Sequence, residues 1–405
     1  MKYFNVPADF KEETIDRYAA LNKKYRDSKV TETYGQITVG NSMGSGRAYD
    51  LIPKVDIGRL KSYIEYSKEK DIAFNYTLNA TCIGNREFSA EGAAEITAFL
   101  DRLYDAGVRS LTVTLPSLME LIRLKGYDFE IKASTVCQII NANKAEAFKK
   151  MGVDKIVIDE SINRDFETLR RIRNTFGEKV EVITNVICHK NCVYEMFHHN
   201  QTSHDSGTAS DMPSSTYYSH RCMMKRCESP ETIMKLAWIR PEDIQYYVGI
   251  GINYFKLQGR QAVMKGDPVR TVECYCKESY DGNLMELLDM FSPTNSFSVY
   301  IENGKMDGFI KPFYEIPNFC KNDCVSCSYC ENFAKKHTDY KKVGEIFDTA
   351  NEFYSNYDQY INMVKNLETT RIPYHTESPV RKLFGDQDID LDFDLDKEES
   401  EERLR

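Results

Sequence analysis

Between residues 35 and 260, short runs rich in β-branched residues recur, and the stretches between them place apolar residues three or four apart. The runs are YGQITVG, IAFNYTLN, SLTVTLP, FEIKASTVC, KIVIDES, VEVITNVIC and NYFKLQG. The intervening segments AAEITAFLDRLYDAG, KAEAFKKMG and FETLRRIRNTFG each close on a glycine suited to a helix C-terminus. Strand and helix in regular alternation leave few topologies open. Each strand reaches the next through a helical crossover, and such crossovers are right-handed and give a parallel sheet covered by helices. No glycine-rich phosphate turn follows the first run, so an open doubly wound sheet has no support. The expected class is therefore α/β, a parallel (β/α)8 TIM-like barrel over residues 31–270 behind an N-terminal helical lead-in over 1–30. Seven strands are explicit, and SFSVYIENG is the candidate for the eighth.

A barrel of this kind takes about 250 residues, and the chain has 405. The remainder reads as a Cys-rich and helical region over 271–375, containing KKVGEIFDTANEFYSNYDQYINMVKNLE, and an acidic, disordered tail over 376–405. The net charge of −9 is mostly that tail: Asp386 to Arg405 holds ten acidic and three basic residues, and the body is nearly neutral. The alternation DIDLDFDLD could serve as a docking peptide, although a solubilising tail explains it as well. RRIRN at 170–174 and HRCMMKRC at 220–227 are the local basic clusters, so charge does not point to nucleic acid. No apolar run approaches the roughly 20 residues of a membrane span. The opening MKYFNVPADFKEE lacks a basic n-region and an apolar core, which leads to the expectation of a cytoplasmic protein with no membrane partner.

Twelve cysteines in a reducing compartment are metal ligands or inert core residues rather than a disulfide framework. Cys82 and Cys137 read as small buried hydrophobes. Eight others fall into two groups. The first is Cys188-x3-Cys192, then, after 29 residues, Cys222-x4-Cys227, with His189, His198, His199, His204 and His220 in the same stretch. Soft thiolates here suit zinc or an iron-sulfur cluster, with Cys227 the weakest member. The second group, Cys320-x3-Cys324-x2-Cys327-x2-Cys330, packs four thiols into eleven residues. Zinc modules separate two Cys pairs by a dozen or more residues, whereas close x2 and x3 gaps favour iron-sulfur ligation, with zinc as the alternative. Its Cys-x3-Cys-x2-Cys portion is also the radical S-adenosylmethionine spacing, but too little chain follows Cys330 to build a barrel behind it.

If the fold is a barrel, chemistry sits at the C-terminal ends of its strands. The residues there are Asn79, Cys82, Thr114, Thr135, Asp159, Glu160, Asn185, Cys188, Lys256, Gly259 and Arg260. Asp159 and Glu160 are candidate catalytic acid or base, against the plainer role of helix cap or ion pair. Lys256 and Arg260 are candidates to hold a carboxylate or phosphate.

Three segments carry a family resemblance: EIKASTVCQIINANKAEAFKKMGVDKIVIDES, ITNVICHKNC and WIRPEDIQYYVGIGINYFKLQGR. Over roughly residues 35–265 the chain resembles peptidase family U32, the collagenase-like family that includes the UbiU and UbiV type of proteins. The resemblance implies a [4Fe-4S] cluster held by four cysteines at the barrel mouth, and oxygen-independent hydroxylation of ubiquinone precursors or RNA bases. It equally implies the older peptidase or collagenase activity. An E-x-F-x-H-G run associated with peptidase-like members is absent, and the cysteine spacing differs. Cys188 and Cys192 match best, then Cys222, then Cys227.

These readings converge on a redox enzyme or subunit in which the barrel-mouth cluster acts on a small-molecule or RNA-linked substrate. In that picture the second Cys group relays electrons from a donor or partner subunit. A peptidase is the alternative, although H-E-x-x-H does not occur. A third reading is a non-catalytic iron-sulfur binding protein.

Overall fold

In the computed structural model, which describes residues 1–206, 217–292 and 297–369, eight parallel strands close into a barrel in sequence order. They are β1 (Lys2–Pro7), β2 (Ser28–Gly35), β3 (Ala73–Leu78), β4 (Ser110–Val113), β5 (Glu130–Ala133), β6 (Lys155–Val157), β7 (Val180–Ile183) and β8 (Tyr254–Lys256). Helices α1 (Glu12–Lys24), α2 (Ile57–Glu69), α3 (Ala90–Asp105), α4 (Pro116–Leu124), α5 (Ala142–Lys150) and α6 (Phe166–Phe176) connect the first seven. Short polar side chains start several of them by accepting an otherwise unpaired first-turn N–H. Ser89 accepts from Gly92 N at 3.0 Å, Asn141 from Lys144 N at 2.9 Å and Asp165 from Thr168 N at 3.0 Å. Between β7 and β8 the chain makes α7 (Glu195–Asp205), α8 (Tyr217–Arg226), α9 (Thr232–Lys235) and α10 (Ile244–Val248).

Two expected boundaries are corrected. Residues 1–30 are no lead-in: they supply β1 and α1, and β1 closes the barrel by pairing Tyr3, Phe4 and Asn5 with Tyr254, Phe255 and Lys256 of β8. The run KYFNVP is short and stands beside a stronger helical pattern, but Phe4 and Val6 are wholly buried, and Phe4 packs on Tyr275 with ring centroids 6.3 Å apart. SFSVYIENG is consequently not a barrel strand, and among the described residues its one β pairing is an isolated bridge between Asn283 and Glu302. The boundary at 270 also cuts a helix. The barrel's eighth helix, α11 (Pro268–Lys277), is tied to α1 by Arg17–Asp267 at 3.0 Å and Lys24–Glu273 at 2.7 Å.

Beyond it lie α12 (Leu284–Leu288), α13 (Lys311–Glu315), α14 (Tyr329–His337) and α15 (Tyr340–Asn356). Met1–Asp358 forms one compact unit. The second unit, from Gln359, contains α16 (Gln359–Thr369). The acidic tail expected over 376–405 lies outside the described residues. Among the described residues no helix is long and apolar enough to cross a membrane.

The barrel interior departs from the branched aliphatic filling usual for this architecture. Lys132 on β5 bonds Glu32 on β2 and lies 3.1 Å from Glu181 on β7, all three side chains being buried. Those strands are not neighbours, so the contacts run through the middle of the barrel. Lys155 lies 3.9 Å from Glu181, and Asn75 reaches Ser110 at 2.6 Å and Thr112 at 2.5 Å. Burial favours the neutral forms, yet Glu181 and Glu32 hold Lys132 above the usual lysine range, and Lys132, Lys155 and Lys256 hold Glu181 below the carboxylate range.

Candidate functional site at the barrel mouth

The loops after β5, β6 and β7 meet over the C-terminal end of the barrel. Directly after β6, Asp159 caps a short 3-10 turn, its Oδ1 accepting from Ser161 N at 2.8 Å. Thr135, just past β5, places its hydroxyl 2.7 Å from Glu160 Oε2 and 2.9 Å from the Ile158 carbonyl. Glu195 arrives from the first turn of α7. One carboxylate oxygen from each of Asp159, Glu160 and Glu195 lies within 4.8 Å of the others, making this the one group of three or more potential metal donors at such spacing among the described residues. Burial, then the charges of Glu160 and Asp159, push Glu195 up to about 8, and burial with Asp159 raises Glu160. Glu195 therefore carries a proton at pH 7.

Of the first Cys group, Cys188 and Cys222 line one cavity of about 260 Å³ together with Arg47, His198, Arg226 and Gln258. Burial, Glu160 and Cys222 all push the Cys188 thiol up, against Arg47 and Arg226. Arg226 lies 3.9 Å from the Cys222 sulfur, and its Nε is buried without a hydrogen-bond partner. Cys192 and Cys227 are not in the cavity wall. Cys192 is half-buried at the turn before α7, and Cys227 is buried in the main core, where its carbonyl accepts from Asn351 Nδ2 at 2.8 Å. Burial lowers His189 and His198 to about 4 and His199 to about 3, with neighbouring Arg or Lys charges adding, so all three are neutral imidazoles at pH 7.

A cluster bound by thiolates is an anion needing soft ligands and nearby cations, and Cys188, Cys222, Arg47 and Arg226 fit that requirement. A single zinc ion fits less well. Zn–S bonds of about 2.3 Å in a tetrahedron put sulfurs about 3.8 Å apart, and among the described residues no three thiols lie within 4.8 Å of one another.

Lys256 and Arg260 do not face the cavity as free anion holders. Lys256 sits over the Tyr34 ring at 4.3 Å, in reach of Glu181, and burial lowers it to about 7. Arg260 is buried and donates from Nη1 to Gln36 and, at 2.9 Å, to Thr77, and burial with Arg47 lowers it to about 9. The cations that do line the cavity, Arg47 and Arg226, escape a reading of strand ends because both lie in connections. Asn185 is structural: it accepts from Gln258 N at 2.8 Å and donates to the Leu288 carbonyl at 3.0 Å. Cys137 is buried as expected, while Cys82 is half-exposed. Cys320 and Cys330 are half-buried and Cys324 and Cys327 exposed, away from the barrel-mouth cavity.

The model of peptidase family U32 matches residues 36–281. An uncharacterized protease of Methanocaldococcus jannaschii is 31% identical over 323 residues, covering 80% of this chain and 92% of that protein. Among solved structures, the U32 peptidase Mk0906 is 17% identical with a TM-score of 0.47, covering 64% of this chain and 93% of that one. A variant of the citrate synthase SbnG is 10% identical with a TM-score of 0.32, covering 65% and 88%. On the breadth of the family match and the identity to the archaeal relative, this chain belongs to peptidase family U32.

Proposed function

We propose that this chain is an iron-sulfur redox enzyme, or the subunit of one, in which Cys188 and Cys222 of the barrel-mouth cavity hold a [4Fe-4S] cluster beside a small-molecule or RNA-linked substrate, with Cys192 and Cys227, which lie outside the cavity wall, as the further ligands. The observation that carries the reading is the meeting of Cys188 and Cys222 in one cavity flanked by Arg47 and Arg226. When bound, the cluster supplies one-electron chemistry of the oxygen-independent hydroxylation type. The chain's own residues do the rest. Arg47, held by Gln261 Oε1 at 3.2 Å, presents a cation to an anionic substrate group. Glu195, protonated at neutral pH, can exchange a proton with Glu160 and Asp159 beside it, a carboxylate group outside the cavity wall whose Glu160 charge is felt by Cys188. Anaerobic purification tests this: a brown protein absorbing near ~400 nm that loses about four iron on Cys222→Ala supports it. A colourless protein without barrel-mouth iron refutes it.

A peptidase reading is favoured by the family's name and by that of the archaeal relative. The Cys188 thiol, pushed up by burial, is a poor nucleophile. Hydrolysis would instead use a divalent ion on Asp159, Glu160 and Glu195. Metal-dependent cleavage of peptides, abolished by Glu195→Gln with iron content unchanged, would establish it.

A further inference from the structure

The C-terminal cysteines sit on a stretch with little of its own to hold it. Residues 321–328 are all exposed, and their only apolar side chain, Val325, is fully so. Rings grip both ends: Phe319 packs on Phe313 and on Tyr329 with centroids 5.0 Å apart in each case. Cys320 and Cys324, between the grips, and Cys330, just past the second, line a cavity of about 340 Å³. Asp323 sets the turn carrying Cys324 and Cys327, its Oδ2 accepting from Ser326 Oγ at 2.6 Å. An exposed loop without a core is stabilised where a metal centre ties its ligands together.

The opposite wall of this cavity is cationic, with Arg164, Lys190, Lys225 and Lys235 against the single acid Glu228. Arg164 is buried, and its guanidinium lies 4.4 Å from the Trp238 ring and donates only to carbonyls, Met234 O at 2.6 Å and Trp238 O at 3.3 Å. Among the described residues no carboxylate lies within 4.0 Å of it, and its Nε–H is buried without an acceptor. His189 Nε2, in the same wall, is likewise buried and unpartnered. A buried cation without a counter-charge is costly. Asp243, which pairs with Arg240, is the carboxylate whose charge reaches it, and within the cavity the anionic candidates are the thiols of Cys330 and Cys320. Lys190 Nζ lies 3.8 Å from the Cys320 sulfur.

We propose that Cys320, Cys324, Cys327 and Cys330 hold a second iron-sulfur cluster, with Arg164 and Lys190 as the cations that balance its charge. No three of these thiols lie within 4.8 Å of one another, whereas one zinc ion holds its sulfurs about 3.8 Å apart, and the idle N–H of Arg164 suits a cluster sulfur. Lys190 lies in the loop running from Cys188 to Cys192, so one short loop carries barrel-mouth thiols at its ends and touches the second set at its middle. Resting on the redox reading above, this cluster takes one electron from a one-electron donor, which is oxidised as the cluster is reduced.

The test counts iron, sulfide and zinc in the full chain purified without oxygen. About eight iron per chain is expected, falling to about half in Cys324→Ala/Cys327→Ala, whose replaced side chains are exposed, and to the other half in Cys222→Ala. Iron unchanged by the double variant, or zinc in place of iron at that set, overturns the proposal and leaves the barrel-mouth reading intact. Iron lost only from the double variant supports it and removes the barrel-mouth reading instead. In the Cys222→Ala background, Lys190→Gln keeps the remaining iron and makes its reduction potential more negative, because a reduced cluster carries one more negative charge. An unchanged potential overturns the role given to Lys190.

Discussion

Lys132→Met removes the cation on which two buried carboxylates depend. Glu181 is then left in the barrel interior with Lys155 at 3.9 Å, and Glu32 loses its only ion pair among the described residues. Because the Lys132 and Glu181 side chains are wholly buried, solvent screens little of the loss, and breaking such a pair from one side costs about 3–5 kcal/mol. Lys155 and Lys256, freed from Lys132's repulsion, hold their protons more firmly, which places the loss toward the lower end. Urea unfolding at pH 7 reads the difference directly. The pH dependence then separates an electrostatic cause from a packing one. In the wild type Glu181 is held below its unfolded value, so its contribution is present above about pH 4.5 and is lost only as pH falls through the lower folded value. In the variant, burial dominates and Glu181 titrates above its unfolded value, so stability is lost as pH rises. Acidifying from pH 7 to 5 should thus recover part of the variant's deficit and give the wild type no such gain. Adding Glu181→Gln should recover most of it at pH 7. A loss below about 1 kcal/mol, or a deficit independent of pH, would refute the claim that charge pairing organises the interior.

Glu195 has the opposite sign from wild-type Glu181. Raised from 4.5 to about 8, it keeps its proton in the folded state through that window, so its contribution to stability is full below pH 4.5 and declines as pH rises to 8. Glu195→Gln should flatten the fall in Tm between pH 5 and 9, and an unchanged profile would count against the three-carboxylate group. Gly259 lines the mouth cavity with φ +125, and a Cβ there would lie 2.5 Å from Met290 Cε. Gly259→Ala should cost about 1–3 kcal/mol in urea unfolding, whereas a silent substitution would show that the backbone can relax. Trp238, the only tryptophan, is buried with its Nε1–H on the Ile233 carbonyl at 2.8 Å and Arg164 on its ring. Its emission should be blue-shifted in the native protein and quenched when the second cluster is loaded into the Cys222→Ala variant. Emission at the unfolded wavelength would contradict that environment.

What the sequence discloses and what it hides follow from where each signal is local. The helices α3, α5 and α6 are legible because the apolar stripe, the capping residue and the closing glycine all lie within one segment, as in Asn141 to Gly152. The middle strands are legible as β-branched runs. β1 is not, since KYFNVP is held as a strand by pairing with β2 on one side and, on the other, with Tyr254–Lys256 at the far end of the barrel sequence. The carboxylate group shows the same limit: Asp159 and Glu160 are visible at a strand end, but Glu195 opens EMFHHN, which carries the E-x-F-x-H of the family run and ends on Asn200 where the run has Gly. Barrel order would have found it. β6 and β7 are neighbours, so the loop after one faces the loop after the other, and Glu195 is three residues past Cys192 on the second of them.

Lys256 and Arg260 illustrate why position at a strand end does not fix a role. A barrel filled with aliphatic residues would leave its upper cations free to face the mouth. Here Glu32 and Glu181 place negative charge inside, and Lys256 is drawn down toward it while Arg260 is held by Gln36 and Thr77. The positive charge available above the barrel must then come from the connections, which is where Arg47 and Arg226 are found. The polar interior thereby decides which residues remain for the site. It also implies that perturbing Lys132, which touches no residue of the mouth cavity, should alter the proton affinity of Lys256 while leaving Cys188 and Cys222 in place.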